Sequence, residues 1–323
     1  MNIFVTRKIP NPGLDLLRKE FDVSVNPYDR VLIKEELIKV IKGKDGLLCL
    51  LTDPIDREVI YAEPKLKMIA SYAVGYDNID IQAATKRGIP VSNTPDVLTD
   101  TTAEMAWALL FSVARRIVEG DRFTRAGKFT GWAPMLMLGQ DVSNKTLGII
   151  GAGRIGTAFA LKSKGFNMNV LYADEKQNDL LERELSAKKV SFDDLIKRSD
   201  YISVHVPLVP STRHLIGEKE LRMMKKNAII INTSRGPVID EKALAKALKE
   251  KWIFGAGLDV YEQEPMIDKE LLELDNVVLQ PHSASATTET RTKMAIMAAK
   301  NMIAGLSGKI PPNCINPEVF KKK

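Results

Sequence analysis

The chain has 323 residues, 45% apolar and 27% charged, with a formal net charge of +6. That length supports two domains with a core each, and the composition excludes a disordered chain. Lys and Glu alternate along most helical segments, so the positive excess reads as solvated helix faces and not as a nucleic-acid surface. The only dense basic run is Lys321-Lys322-Lys323. No apolar run approaches the roughly 20 residues of a membrane helix, and the N-terminal one is too short for a signal peptide. Cys49 and Cys314 are the only cysteines and form no C-x-x-C. They make no disulfide framework, and a reducing, cytoplasmic location is expected.

Strand-like and helix-like segments alternate, the pattern of an α/β protein with parallel sheets. Residues 3–6, 23–26, 46–51, 68–73 and 91–93 read as the strands of a first unit, and 12–20, 34–41, 57–62 and 81–86 as its helices. Thr101-Thr102-Ala103-Glu104 opens an apolar-periodic helix expected to run to about Arg125. Asp100 is its expected N-cap, and Ala106, Leu109, Leu110 and Val113 share its inner face. Next, Gly127 to Gly139 is apolar, contains Gly and Pro, and has no period. Burial against the parent domain is one reading; burial against a second subunit is favoured. Strands of a second unit are expected at 147–150, 169–173, 201–206, 228–232, 255–258 and 277–279, with a last helix over 288–306. Met294, Met297 and Met302 on that helix read as core filler.

The strongest local signal is Leu147-Gly148-Ile149-Ile150-Gly151-Ala152-Gly153-Arg154-Ile155-Gly156. A buried strand runs into a helix through G-x-G-x-x-G. Gly151 permits the tight turn, Gly153 lets backbone approach a pyrophosphate, and Gly156 lets the helix pack on the sheet. A second apolar strand ends at Asp174, about 20 residues further on, where a carboxylate meets an adenosine ribose. The motif alone is weak. With a strand before it, a helix after it and the acid in place, a dinucleotide site is favoured over a structural turn.

Three histidines keep the search for chemistry short. His205 and His214 lie on separate elements with no partner acid evident, so no metal site is expected. In a doubly wound sheet, ligands sit outside the carboxyl ends of the strands. Arg235 follows one predicted strand, Asp259 and Glu264 the next, and His282 the last. Arg235 offers a fork for a carboxylate. His282 can donate a proton near neutral pH, and Glu264 can orient its ring and favour its charged form. Each alone reads as an ordinary surface residue; together, beside a nicotinamide site, they read as a reduction centre.

At these residues the sequence resembles the D-isomer-specific 2-hydroxyacid dehydrogenases, most of all the glyoxylate/hydroxypyruvate reductases within that family. The resemblance covers nearly the whole chain. It is carried by Ser71 to Asp80, Asn93 to Thr99, Leu147 to Gly156, His205-Val206-Pro207-Leu208, Asn232-Thr233-Ser234-Arg235-Gly236, Gly257 to Pro265 and Pro281-His282. It implies a Rossmann NAD-binding domain (101–286) inserted in a flavodoxin-like substrate domain (1–100 and 287–323), each a doubly wound parallel sheet. It also implies that Arg235 binds the substrate carboxylate and carbonyl, that His282 shuttles the proton, and that Glu264 pairs with His282. Leu51, Val74 and Gly75 are implied to line the substrate site, with backbone N–H groups of Val74 and Gly75 on the carboxylate. Thr102, Arg154, Ile155, Val206, Pro207, Thr212, Thr233, Asp259 and Ala284 match cofactor positions, with Asp174 among them.

The implied reaction reduces a small 2-oxo acid, glyoxylate or hydroxypyruvate, with NAD(H) preferred and NADP(H) possible. A homodimer is implied, formed through the Rossmann domain and its arm, with a closing hinge near 99–101 and 286–288. Two positions depart from the family pattern. Ser283 stands where an aliphatic residue follows the histidine, and Leu136 stands where related reductases carry an aromatic in the arm. The alternatives are a phosphoglycerate-type or D-lactate-type dehydrogenase, phosphite oxidation, or a non-catalytic NAD(H)-sensing protein on the same scaffold. A formate dehydrogenase fits less well, because Glu264 fills the acid position beside His282.

Overall fold

The computed structural model describes residues 1–321. Lys322 and Lys323, most of the basic run, lie outside the described residues. The chain forms two compact units: Met1–Leu98 with the chain from Ala286 onward, and Thr99–Ser285.

In the first unit the elements are β1 (Asn2–Val5), α1 (Asn11–Glu20), β2 (Asp22–Val25), α2 (Lys34–Val40), β3 (Gly46–Cys49), α3 (Arg57–Ala62), β4 (Met68–Ser71), α4 (Ile81–Lys86) and β5 (Val91–Ser92). The sheet is parallel in the order β2-β1-β3-β4-β5, the flavodoxin-like order. β3 and β4 are buried at every residue, which is why they read as unbroken apolar runs. Asp56 and Asp80 start α3 and α4 by accepting from Val59 N and Ala83 N. The helix Thr288–Leu306, capped by Thr287, packs along α1 and β4. Met294 and Met302 on it are buried.

The second unit carries α5 (Thr99–Ala114), α6 (Ile117–Arg125), β6 (Thr146–Ile150), α7 (Arg154–Leu161), β7 (Asn169–Ala173), α8 (Asp179–Leu185), β8 (Lys188–Lys189), α9 (Phe192–Arg198) and β9 (Tyr201–Val204). It continues with α10 (Glu218–Met223), β10 (Ile229–Asn232), α11 (Glu241–Lys249), β11 (Gly255–Leu258), α12 (Lys269–Glu273) and β12 (Val277–Leu279). Seven parallel strands lie in the order β12-β11-β10-β9-β6-β7-β8. The winding reverses between β6 and β9, the Rossmann switch point outside which ligands bind.

Two expectations need correction here. The single helix expected to about Arg125 is two helices, because Arg116 takes a left-handed conformation (φ 53°). Its guanidinium forks onto Glu119 at 2.8 and 2.5 Å and donates to Leu138 O. Asp100 does not cap α5; it lies inside the first turn and pairs with Lys162 at 2.7 Å. The edge strand β8 was not expected, since both its residues are exposed lysines with no apolar alternation.

α6 has no buried residue, and the segment after it leaves Phe129 57%, Trp132 84% and Met135 76% exposed. Burial against the parent domain therefore does not account for the apolar character of this arm. Among the described residues, no helix is long and apolar enough to cross a membrane.

His205 follows β9 with its ring centroid 5.2 Å from that of Phe159 and its Nε2 2.8 Å from Ser203 Oγ. Burial pushes its pKa down to about 3. The folded chain thus keeps this ring neutral where the unfolded chain, with an ordinary histidine pKa near 6.5, takes up a proton. The contribution is complete above that pH and is lost as pH falls, up to about 1.4 kcal/mol per pH unit. Urea unfolding at pH 7.5 and 5.5 tests this: His205→Asn should shrink the stability difference between the two pH values by about 1 kcal/mol. An unchanged difference would mean that the ring is solvated.

Candidate active site

The loop after β6 begins at Gly151 (φ 90°), where a Cβ would lie 2.9 Å from the backbone of His205 and Val206. A Cβ on Gly156 would lie 2.1 Å from Gly151 O, so this residue sets how closely α7 meets the loop. Gly153, by contrast, faces open space, and no side chain caps the start of α7. Arg154 is exposed and Ile155 half-buried at that start. Asp174 follows β7. Its Oδ2 accepts Ala152 N at 2.8 Å and its Oδ1 accepts Lys176 N at 3.0 Å. The carboxylate thereby ties the glycine loop to the end of the neighbouring strand.

Val206 and Pro207 follow β9. Thr212 closes their loop by donating to Pro207 O (2.6 Å) and accepting Val209 N (2.9 Å). Thr102 is buried in α5. Thr233, after β10, is buried, and its Oγ1 has no hydrogen-bond partner in the structure. Ala284 is buried beside Asp259. An uncapped helix start facing open space, a carboxylate at the end of the second strand and an orphaned buried hydroxyl all fit a dinucleotide.

Three adjacent strands, β10, β11 and β12, deliver the remaining groups. Arg235 sits in a turn latched by Asn232, whose Oδ1 accepts Ser234 N and whose Nδ2 donates to Arg235 O. The next residue, Gly236, touches the following loop: a Cβ there would lie 1.9 Å from the Tyr261 backbone. In that loop Glu264 Oε1 accepts Tyr261 N at 3.0 Å, and Oε2 lies 2.8 Å from His282 Nδ1. His282 (φ 52°) is held from behind by Asp259, whose two oxygens accept Ser283 N (2.7 Å) and Ala284 N (2.8 Å). Ser283 Oγ reaches Gln280 Oε1 at 3.3 Å, so the departure at Ser283 is accommodated by a polar partner.

Burial opposes ionisation of Glu264. The His282 hydrogen bond and charge, the Tyr261 N–H and the Arg235 charge outweigh it and hold the carboxyl below its ordinary range. Asp259 goes the other way. Burial pushes it up against the pull of the Ser283 and Ala284 amides and of His282, with Glu264 adding to the rise. Glu264 is thus the fixed negative charge beside the imidazole.

Leu51, Val74 and Gly75 belong to the first unit. They are half-buried and follow the adjacent strands β3 and β4. Asn93 Nδ2 donates to Val74 O at 2.8 Å, and Asn78 Nδ2 donates to Leu50 O at 3.0 Å, fixing both loops.

One reading of the histidines is overturned. His214 has a partner acid: its Nε2 lies 2.7 Å from Glu262 Oε1, with Arg213 at 3.8 Å from the same oxygen. The partners are 48 residues apart, and no local sequence pattern links them. Among the described residues, no group of three or more His, Cys, Asp or Glu could hold a metal ion.

The family model described as D-isomer specific 2-hydroxyacid dehydrogenase, NAD binding domain, matches residues 107–284. A glyoxylate reductase of Korarchaeum cryptofilum is 54% identical over 321 residues, 99% of this chain and 97% of that protein. A protein of Thermus thermophilus has a solved structure with TM-score 0.93 at 42% identity, covering 98% of this chain and 100% of that one. The NADPH-dependent glyoxylate/hydroxypyruvate reductase of Sinorhizobium meliloti, solved with NADP and malonate, gives a TM-score of 0.87 at 29% identity, covering 100% and 98%. The fold, the glycine loop and the matching relatives agree: the chain is an oxidoreductase that belongs to the D-isomer-specific 2-hydroxyacid dehydrogenase family.

Proposed function

We propose that this enzyme reduces glyoxylate to glycolate, with hydroxypyruvate as a second substrate and NAD(H) as the preferred cofactor. The observation that carries the reading is the 2.8 Å contact of Glu264 with His282 Nδ1, in a loop that packs on the turn of Arg235. The glycine loop, Asp174 and Thr233 would hold a reduced nicotinamide dinucleotide, which when bound would supply hydride for the carbonyl carbon. Arg235 binds the carboxylate through its planar fork and offsets the negative charge that grows on the carbonyl oxygen. Glu264 fixes the imidazole by Nδ1, which leaves Nε2 as the atom that gives its proton to that oxygen. Leu51, Val74 and Gly75 are assigned to the same substrate. Phosphoglycerate-type and D-lactate-type substrates are the competing assignments.

The arm supports a homodimer. Phe129, Trp132 and Met135 form an apolar, solvent-facing stretch of the kind that a second subunit covers. A reducing compartment is supported by two free cysteines, one of them buried in the core.

Turnover of glyoxylate, hydroxypyruvate, pyruvate and 3-phosphohydroxypyruvate with NADH tests the substrate assignment. Glyoxylate should give the highest kcat/KM. Arg235→Ala should lower it by about 10³-fold or more, and Arg235→Lys should still cripple it, because Lys cannot reproduce the fork. Wild-type-like kcat/KM in Arg235→Ala would refute the role of Arg235.

Reduction takes its proton from the imidazole, so its rate should fall toward alkaline pH. Removing the negative charge of Glu264 removes a stabiliser of the protonated imidazole. In Glu264→Gln the alkaline fall of kcat should therefore move to lower pH. A profile that stays in place would mean that Glu264 does not act through the imidazole charge.

Asp174 governs cofactor choice in this reading. Its carboxylate suits ribose hydroxyls and repels a 2′-phosphate, while the neighbouring Lys176 softens the repulsion. NADH should give the higher kcat/KM at saturating glyoxylate, and Asp174→Ala should narrow the gap. An enzyme that favours NADPH, or an Asp174→Ala variant with unchanged selectivity, would overturn the assignment.

A further inference from the structure

We propose that Glu241 is a positioning residue for the proton-transfer pair: it holds the loop that brings Glu264 to His282. The inference rests on the reading of Glu264 and His282 given above.

Glu264 sits near the tip of the loop between β11 and α12, pinched where Met266 N donates to Gln263 O at 2.9 Å. The two legs of that loop are joined by one carboxylate. Glu241 Oε2 accepts Glu262 N at 2.7 Å, and Glu241 Oε1 accepts Asp268 N at 2.6 Å. These are charge-assisted bonds to backbone on both sides of Glu264. Glu241 is the first residue of α11, whose N-cap Asp240 accepts Ala243 N and whose Leu244 and Leu248 are buried. The anchor is therefore a firmly seated helix, and the first turn favours the negative charge. On the near leg the Glu262 side chain is held in turn by His214. The charged groups that line a pocket with Glu241 include His214, Asp240, Lys242, Glu262 and Asp268, with Arg213 on Glu262; beside His282 stand Glu264 and Asp259, and Arg235 acts on Glu264. Both carboxylate oxygens of Glu241 are engaged by backbone amides, those of Glu262 and Asp268. Its effect on proton transfer passes through the backbone that carries Glu264.

With Glu241→Ala the legs lose their common acceptor and the 2.8 Å contact at His282 loosens. kcat for glyoxylate should fall between about 10- and 100-fold, the scale of a small misplacement of a reacting group. KM for NADH should stay near its native value, because Asp174 and the glycine loop are untouched. The alkaline limb of kcat should move to lower pH, in the direction of Glu264→Gln. Glu241→Gln retains one acceptor oxygen and should give a smaller loss, which keeps the test available if the alanine variant folds poorly. In a Glu264→Gln background, Glu241→Ala should add little further loss and no further shift of the limb.

A readout independent of turnover separates the two ideas. NMR of ¹⁵N-histidine-labelled protein follows the His282 Nδ1 proton directly. In Glu241→Ala and Glu241→Gln that signal should shift toward its position in Glu264→Gln. A native signal in both Glu241 variants, with only a lower Tm, would overturn the positioning role. A shifted signal with an unmoved kcat profile would uphold the positioning role and instead overturn the acid–base reading of the pair.

Discussion

No side chain fits at residue 236, and the geometry of the site depends on that contact. A Cβ there would fall inside the Tyr261 backbone, so the turn of Arg235 and the loop of Glu264 meet main chain to main chain. The strands beneath them run in register, Asn232 opposite Leu258. Asp259 then draws in the third loop by two amides, at Ser283 and Ala284. Arg235, Glu264 and His282 are therefore related by backbone packing and short bonds, which hold a geometry more tightly than long flexible side chains do.

Carboxylates perform much of this bracing. Loops beyond the sheet have amides that no ladder satisfies, and such groups need partners when partly buried. Asp174, Glu241, Asp259 and Glu264 each accept one or two of them. The same acids that look like chemistry in the sequence thus divide their work between holding backbone and tuning charge. Glu264 does both, with one oxygen on the Tyr261 amide and the other on the imidazole.

The parallel-sheet architecture and most strands were legible because buried parallel strands are unbroken apolar runs, as in Ile229–Asn232. The cofactor loop was legible because its glycines have steric reasons that recur wherever a strand turns into a helix over a phosphate. The break at Arg116 was not: arginine carries no local preference for a left-handed conformation. The strand at Lys188 and Lys189 exists through its pairing with Leu171 and Tyr172, not through its own residues. The link of His214 to Glu262 and the clamp by Glu241 on Glu262 and Asp268 join residues 21 to 48 positions apart. Such pairings depend on which strand ends become neighbours, and a single sequence does not print that.

The helix Thr288–Leu306, which covers α1 and β4, also has a consequence in time. It leaves the ribosome after the whole of Thr99–Ser285, although it completes a unit whose strands were made first. The later, contiguous unit can close its sheet while the earlier one still exposes the faces of α1 and β4. Nascent strands such as Met68–Ser71, without charge, wait for that helix through the synthesis of more than two hundred residues. The order of translation and the order of completion are thus reversed, and the N-terminal sheet waits longer for its last cover than the sheet of Thr99–Ser285 does.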